Sequence, residues 1–369
     1  MNILIAGDYY PQDRVANLIE KDDFSSVFGD VKNIISSVNY SIVNFECPIV
    51  IEKAKPIDKI GPNLKCSNKG LEALKWAGFN CVTLANNHFY DFSDKGVINT
   101  ISTCEKKGID HVGGGKTKED ASKVLYKKIN GQTLGIVNCC EHEFSIATET
   151  TAGSNPLNPI LQYYAIKDAR DKADYVLVIV HGGHEHWQLP SPRMVETYRF
   201  FIDSGADAVV NHHQHCYSGY ELYKGKPIFY GLGNFCFDKP GFRNGKWNEG
   251  YMVLLNFDKE IKFDIYPYRQ CDIEPKVVLL EKNAFEAKIE ELNGFIVDDE
   301  KLMEVTDNYY KSCAKQFSNI FEPIENRFYF AMKKRGLLPS LISKKRKTLA
   351  ENYICCESHR DKVLWYLYH

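Results

Sequence analysis

Three short apolar runs, each ending in a cluster of histidine or asparagine, constrain this chain more than any other feature. Tyr175-Val176-Leu177-Val178-Ile179-Val180 ends in His181-Gly182-Gly183-His184-Glu185-His186. Ala206 to Val210 ends in Asn211-His212-His213-Gln214-His215. Pro227 to Tyr230 runs into Gly231-Leu232-Gly233-Asn234-Phe235. Runs of this length rich in Val and Ile read as strands buried on both faces. In open α/β sheets, functional groups gather just past the carboxyl ends of such strands. Between the first two runs, Arg193 to Ser204 carries Val195, Tyr198, Phe201 and Ile202 at helical spacing, and Gly205 stops it. Strand, helix, strand sets two strand ends side by side, so His, Glu and Asn are expected to meet in one place.

The same pattern recurs earlier. Asn2 to Ala6 reads as a strand with Gly7-Asp8 at its end. Tyr40 to Phe45 is a second, ending in Asn44-Phe45-Glu46, and Asn80 to Ala85 a third, ending in Asn86-Asn87-His88. Helices are predicted over Val31 to Val38, over Lys69 to Ala77 with Ser67 as N-cap, over Ser93 to Lys107 and over Ile160 to Lys172. Lys123 to Asn130 and Gln132 to Asn138 read as a hairpin turned at Asn130-Gly131. Residues 52–66 read as a surface loop and residues 143–159 as a flexible one. Strands at Tyr251 to Phe257 and Ile261 to Pro267 end the strand-rich part. From Lys282 the pattern is helical. The expected organisation is an α/β domain over residues 1–275 and a helical C-terminal extension over residues 276–369. Phe328, Phe330, Leu338, Leu364, Trp365 and Leu367 in that extension need a surface to bury. The basic run over residues 333–347 reads by default as a solvated face. Contact of Lys344 to Lys347 with an anionic membrane surface or polymer is the other reading, at about 1 kcal/mol per charge.

Composition excludes several classes. Forty-six Lys and Arg against 48 Asp and Glu give a net charge of -2, which argues against nucleic acid as a partner. The twelve cysteines form no CxxC pair and read as free thiols in a reducing compartment. The first residues carry no signal-peptide pattern, and no run reaches the ~20 apolar residues of a membrane span. A cytoplasmic location is the expectation.

Seven of the eleven histidines lie in three segments, each just after an apolar strand: His88; His181, His184 and His186; His212, His213 and His215. With Asp8, Glu46 and Asn87 also at strand ends, the set reads as a metal site. Imidazoles mixed with carboxylates and an amide oxygen suit zinc, manganese or iron rather than magnesium or calcium. A carboxylate such as Glu46 or Asp8 can bridge two ions, which suits a phosphoryl displacement. His213 and His215 lie two apart, so an extended strand would point both to one side and His212 to the other.

The motifs Gly7-Asp8, Asn44-Phe45-Glu46, Asn86-Asn87-His88, His181-Gly182-Gly183-His184-Glu185, Gly205-Ala206-Asp207 with His213-Gln214-His215, and Gly233-Asn234-Phe235, in that order, resemble the CapA family. These are capsule or poly-γ-glutamate synthesis proteins of the calcineurin-like metallophosphatase superfamily. The resemblance covers residues 1 to about 270. It implies a four-layer α-β-β-α sandwich with two divalent metal ions (manganese, zinc or iron) at its strand ends. One ion would take Asp8, Glu46 and His215; the other would take Glu46, Asn87, His181 and His213. His88 would protonate the leaving group, and Asn44, Glu185 and Asn234 would face the substrate. Related phosphatases place a His two residues after the first Asp, where this chain has Tyr10, which implies a weaker hold on the first ion. Asn211 and Gln214 stand where the family often has Gly and Pro. Many members carry an N-terminal membrane anchor, and this sequence shows none.

The resemblance implies a metal-dependent phosphoester hydrolase in capsule or surface-polymer synthesis. Its partners would be a phosphorylated small molecule or an anionic surface polymer, and the capsule-synthesis machinery; membrane contact is left open. The alternative is an assembly factor that binds an anionic polymer through its metals without turnover. A barrel amidohydrolase also gathers His and Asp at strand ends, but would place His-x-His at the first strand, where Asp8 and Tyr10 stand.

Overall fold

The computed structural model describes residues 1–50, 54–313 and 343–368, with positions 328, 332, 335 and 337 between the last two segments. In chain order the elements are β1 (Asn2–Tyr10), α1 (Asp13–Glu20), α2 (Phe24–Ser37), β2 (Tyr40–Phe45), α3 (Asn68–Ala77), β3 (Cys81–Thr83), α4 (Ser93–Lys107), β4 (Asp110–Val112), β5 (Gly114–Gly115), α5 (Lys118–Ala121), β6 (Leu125–Ile129), β7 (Gln132–Cys140), β8 (Gly153–Ser154) and α6 (Pro159–Lys172). They continue with β9 (Tyr175–His181), α7 (Pro192–Ser204), β10 (Ala208–His212), β11 (Tyr220–Tyr223), β12 (Lys226–Phe229), β13 (Asn234–Phe237), β14 (Glu249–Asn256), β15 (Lys262–Gln270), β16 (Val277–Leu279), α8 (Lys282–Ile296) and α9 (Asp299–Cys313). Two helices, Lys344–Cys355 and Glu357–Tyr368, close the described chain.

Two sheets carry the architecture. One runs β16-β15-β14-β1-β2-β3-β4, with β13 also pairing to β1; the other runs β11-β12-β10-β9-β7-β6. Strand alternation shows how they are covered. In β9, Leu177 and Ile179 pack with Ile3, Ile5 and Ile42 between the two sheets. Val176, Val178 and Val180 face the other way, onto Ile166, Met194, Tyr198 and Phe201 of α6 and α7. The outer face of the first sheet packs Leu4, Ala6 and Val43 against Val27, Phe28, Leu71 and Val97 of α2, α3 and α4. Three cores between four layers make an α-β-β-α sandwich, the fold class expected from the resemblance, and this excludes the barrel. Strands covered on both faces need apolar residues at every position, which is why they show as unbroken runs.

Local chemistry sets the elements. Ser191 caps α7 by accepting from the Met194 amide at 3.3 Å, Pro192 opens it, and Gly205 at φ 120 ends it. Met194, Val195, Tyr198, Phe201 and Ile202 are buried on its inner face, each worth about 1.5–3 kcal/mol. Asn130 and Gly131, at φ 51 and 87, form the left-handed hairpin turn between β6 and β7.

The structure differs from the sequence reading at several places. β1 continues past Ala6 to Tyr10, and β3 is shorter than Asn80 to Ala85. The segment at 143–159 is not loose: Ser145, Ser154 and Asn155 are buried, and β8 pairs with β5. β16 lies in the first sheet although the strand-rich part was expected to end at residue 275. In the extension, Phe328, Leu364 and Leu367 are exposed rather than buried, while Phe330 and Leu338 lie outside the described residues. Burial falls instead to Phe285, Ile289, Ile296, Leu302 and Val363, and Trp365 donates from Nε1 to Asp307 at 3.1 Å. Lys344 is exposed and pairs with Asp58. Among the described residues, no helix is long and apolar enough to cross a membrane. All twelve cysteines are free thiols.

Candidate metal centre

Asp8 stands where β1 changes partner. Asn2 to Ile5 pair with β14, whereas Asp8 to Tyr10 pair with β13, and the register shifts on both sides of Asp8. Such a bulge re-aims a side chain. It also needs a close approach: a Cβ on Gly7 would lie 1.9 Å from the Gly233 carbonyl, so no other residue fits. Asp8 Oδ1 accepts from Asn44 Nδ2 at 2.8 Å and Oδ2 from the His213 amide at 3.1 Å. His212 Nδ1 lies 3.3 Å from Oδ1, without hydrogen-bond alignment, and His215 Nδ1 3.7 Å from Oδ2. Burial opposes ionisation of Asp8, but His212, His181 and His215 around it hold its carboxyl well below the usual range.

Glu46, just past β2, has the opposite environment. It is fully buried, and neither carboxylate oxygen has a hydrogen-bond partner. Oε1 lies 3.7 Å from both His181 Nε2 and His215 Nε2. Burial, then the charge of Asp8, pushes its pKa well above the usual carboxylate range. A buried acceptor without a donor costs about 1–3 kcal/mol, more when charged. A cation is the partner this pair of oxygens fits. His181 Nε2 is also 3.0 Å from Asn87 Oδ1 and 3.1 Å from His213 Nδ1. Glu46, His181 and His213 form one group, and Asp8, Glu46 and His215 another, with donor atoms within 4.8 Å of one another in each. Glu46 is common to both, and the donor sets can hold divalent metal.

His213 and His215 converge for a different reason from strand alternation. β10 ends at His212, and both residues have left-handed backbone, at φ 92 and 56. For non-glycine residues this conformation costs about 1–3 kcal/mol and persists where its surroundings impose it. His212 is not turned away either, since it lies against Asp8.

The remaining predicted residues divide between the centre's rear and its mouth. Asn44 and Asn234 were expected at the substrate face; both are fully buried against the candidate ligands Asp8, His181 and His215. Asn44 Nδ2 meets Asp8 and His181 Nδ1, the latter at 3.2 Å, and Asn234 Oδ1 meets His215 Nδ1 at 2.8 Å. Glu185 has a half-exposed side chain. Desolvation of its covered half works against its charge, but His215 and His213 draw its pKa down to about 2. Tyr10 packs edge-on against Phe237 at 5.0 Å. His184 is buried with Nε2 3.0 Å from the Tyr310 hydroxyl, and His186 stacks on Phe242.

His88 is buried, with Nδ1 2.7 Å from Asp91 Oδ2 and 3.1 Å from Lys59 Nζ, which itself pairs with Asp91. Burial and the Lys59 charge lower its pKa against the pull of Asp91. The sequence reading missed Asp91 and Lys59. Asp91 lies three residues after His88, a spacing that could have flagged it; Lys59 comes from the 52–66 loop and carried no signal. Glu143 was also missed; its Oε2 accepts from Asn87 Nδ2 at 2.9 Å.

Residues 2–239 match the family described as "Bacterial capsule synthesis protein PGA_cap". The "Capsule biosynthesis protein CapA" of Bacillus anthracis is 32% identical over 294 residues, 77% of this chain and 71% of that protein. The "PGA biosynthesis protein CapA" of Bacillus subtilis (strain 168) is 34% identical over 238 residues, 63% of this chain and 62% of that protein. Among solved structures, a hypothetical protein from Thermus thermophilus aligns with TM-score 0.44 and 18% identity, over 74% of this chain and 100% of that one. A 5'-nucleotidase precursor from the same organism aligns with TM-score 0.45 and 11% identity, over 79% of this chain and 57% of that one. The sequence match, which spans every strand end described above, is decisive: this chain belongs to the bacterial capsule synthesis protein family PGA_cap.

Proposed function

We propose that the chain is a metal-dependent phosphoester hydrolase acting on a phosphorylated component of capsule or poly-γ-glutamate synthesis. The observation that carries this reading is Glu46, buried without a donor between two groups of histidines. One divalent ion would be held by Asp8, Glu46 and His215, and the other by Glu46, Asn87, His181 and His213; manganese, zinc or iron suits these donors. Bound there, the ions would supply Lewis-acid polarisation of a phosphoryl oxygen. Asn44 and Asn234 orient Asp8, His181 and His215 from behind. His88, with Nδ1 held by Asp91, keeps Nε2 for proton transfer to the departing oxygen. Glu185, ionised at the mouth, accepts hydrogen bonds from the substrate and disfavours further anionic groups beside it.

The names of the two Bacillus relatives support the setting in capsule and poly-γ-glutamate synthesis. A second reading, an assembly factor that binds an anionic polymer without turnover, draws on Tyr10, which packs on Phe237 where related phosphatases place a histidine. Metal analysis of purified protein after loading with manganese or zinc, followed by assay on a panel of phosphoesters, separates the two. Hydrolysis that tracks metal content supports the enzyme. Fully loaded protein that cleaves none of them, yet binds poly-γ-glutamate, supports the assembly factor.

A further inference from the structure

The C-terminal helices close against the rim of this centre, beyond the part of the chain that the family match covers. Glu141, at the end of β7, accepts from Arg193 Nη2 at 2.7 Å and from the Ser358 amide at 3.3 Å. Arg193 Nε reaches Asp361 at 2.8 Å, and Glu357 takes the His142 amide at 2.8 Å. This docking carries Cys356 and His359 to Glu143. Cys356 is 1% exposed, and its Sγ lies 3.9 Å from Glu141 Oε2. His359 Nδ1 lies 3.9 Å from Glu143 Oε1 and 3.1 Å from the side-chain Nδ2 of Asn352. The ligand atoms of Glu143, Cys356 and His359 all lie within 4.8 Å of one another.

We propose that Glu143, Cys356 and His359 form a further divalent-metal site, of the zinc class, assembled when the C-terminal helices dock. Thiol, imidazole and carboxylate are the donors zinc takes, and three protein ligands leave a fourth position for water or an anion. The thiol excludes magnesium and calcium as natural occupants. Cys356 and His359 are three apart at the start of a helix, a spacing that brings side chains together on one face. Asn87 joins this site to the first centre: its Oδ1 faces His181 and its Nδ2 donates to Glu143. The site stands independently of the hydrolase reading, because its donors are separate from those of the first centre.

Cobalt distinguishes the two centres, since no ligand in the first is a thiol. Full-length protein is stripped with chelator and titrated with Co(II), following the near-ultraviolet thiolate-to-cobalt band and the bound metal. The expected result is a saturable thiolate band whose final amplitude corresponds to one cobalt–thiolate bond per chain, whatever cobalt the first centre takes up. Cys356→Ser should abolish the band and lower bound cobalt by one equivalent. His359→Gln should shift the band to higher cobalt concentration, and His213→Ala should keep it. Absence of the band in saturated wild-type protein overturns the proposal, as does a band that survives Cys356→Ser. If Cys356→Ser fails to fold, wild type and His359→Gln decide: a band whose midpoint is unmoved in His359→Gln also overturns it.

Discussion

Neither oxygen of the Glu46 carboxylate finds a hydrogen bond, yet ring nitrogens of His181 and His215 lie 3.7 Å away. Ligands and proton donors at such a centre make different demands, and single substitutions should separate them. His213→Ala should lose bound metal and activity together, because a ligand is gone. His88→Ala should keep its metal and lose about 10²- to 10⁴-fold in rate on a phosphoester with a poor leaving group. An ester with a very acidic leaving group should suffer less. Metal analysis beside kinetics checks both, and loss of metal from His88→Ala would make His88 a ligand. The pH profile adds a second test. Burial and Lys59 hold the His88 pKa below its usual 6.5. A general acid works protonated, so the limb of the rate profile it governs falls as pH rises through that lowered value. Lys59→Ala removes the nearby positive charge and leaves Asp91 to His88. The limb should move to higher pH, and an unmoved profile would show that His88 does not donate the proton. Of these residues, the gathering of His88, His181, His213 and His215 near Asp8 and Glu46 was legible in the sequence, because histidines clustered after apolar runs are rare in a core. Lys59 was not, because its place beside Asp91 depends on a loop with no periodicity.

Elements were legible in proportion to how local their causes are. β2 and α4 have their expected bounds, since β2 is buried on both faces and Gly108, at φ 64, ends α4 at Lys107. β13 was not legible, because it exists only where the β1 bulge opens a place beside Asp8 to Tyr10. The left-handed backbone at His213 and His215 was hidden for the same kind of reason: the His213 amide is fixed by Asp8, more than 200 residues away. The contact between β7, α7 and the helix Glu357–Tyr368 is another long-range feature, and it is electrostatic. Burial raises the Glu141 pKa, but Arg193 and Ser358 outweigh it and bring it to about 2 from a usual 4.5. Because the folded value lies below the unfolded one, this stabilisation is full above about 4.5 and is lost as pH falls toward 2. It amounts to roughly 3 kcal/mol. Asp361 offsets part of it, since burial raises its pKa despite Arg193. Glu141→Gln should therefore lower the urea midpoint at pH 7 and much less near pH 2. Arg193→Ala strands two buried carboxylates and should cost more, about 3–5 kcal/mol. Equal effects of Glu141→Gln at both pH values would remove the ion pair from this account.

At the scale of the whole molecule, α8 and α9 belong to the same cores as the sandwich. Phe285 and Ile289 of α8 lie in the core between the sheets, with Tyr217 and Tyr251. Ile296 and Leu302 lie in the outer core over α7. Four such side chains at about 1.5–3 kcal/mol each amount to much of the 5–15 kcal/mol by which a folded domain is stable. A chain ending at residue 280 should therefore aggregate or melt far below the full protein. The helices after Ser343 contribute differently, chiefly through Glu357, Ser358 and Asp361 at the rim of the candidate metal centre. A chain ending at Cys313 keeps all four core side chains and the Glu141–Arg193 pair. It should fold and bind metal at the first centre, with lower stability and without the thiolate band. Thermal melting and size-exclusion chromatography of the two truncations against the full chain test this division. If the chain ending at residue 280 is monomeric and equally stable, α8 and α9 are not part of the cores. If the chain ending at Cys313 is the one that aggregates, the terminal helices carry structural weight beyond their contacts at the rim.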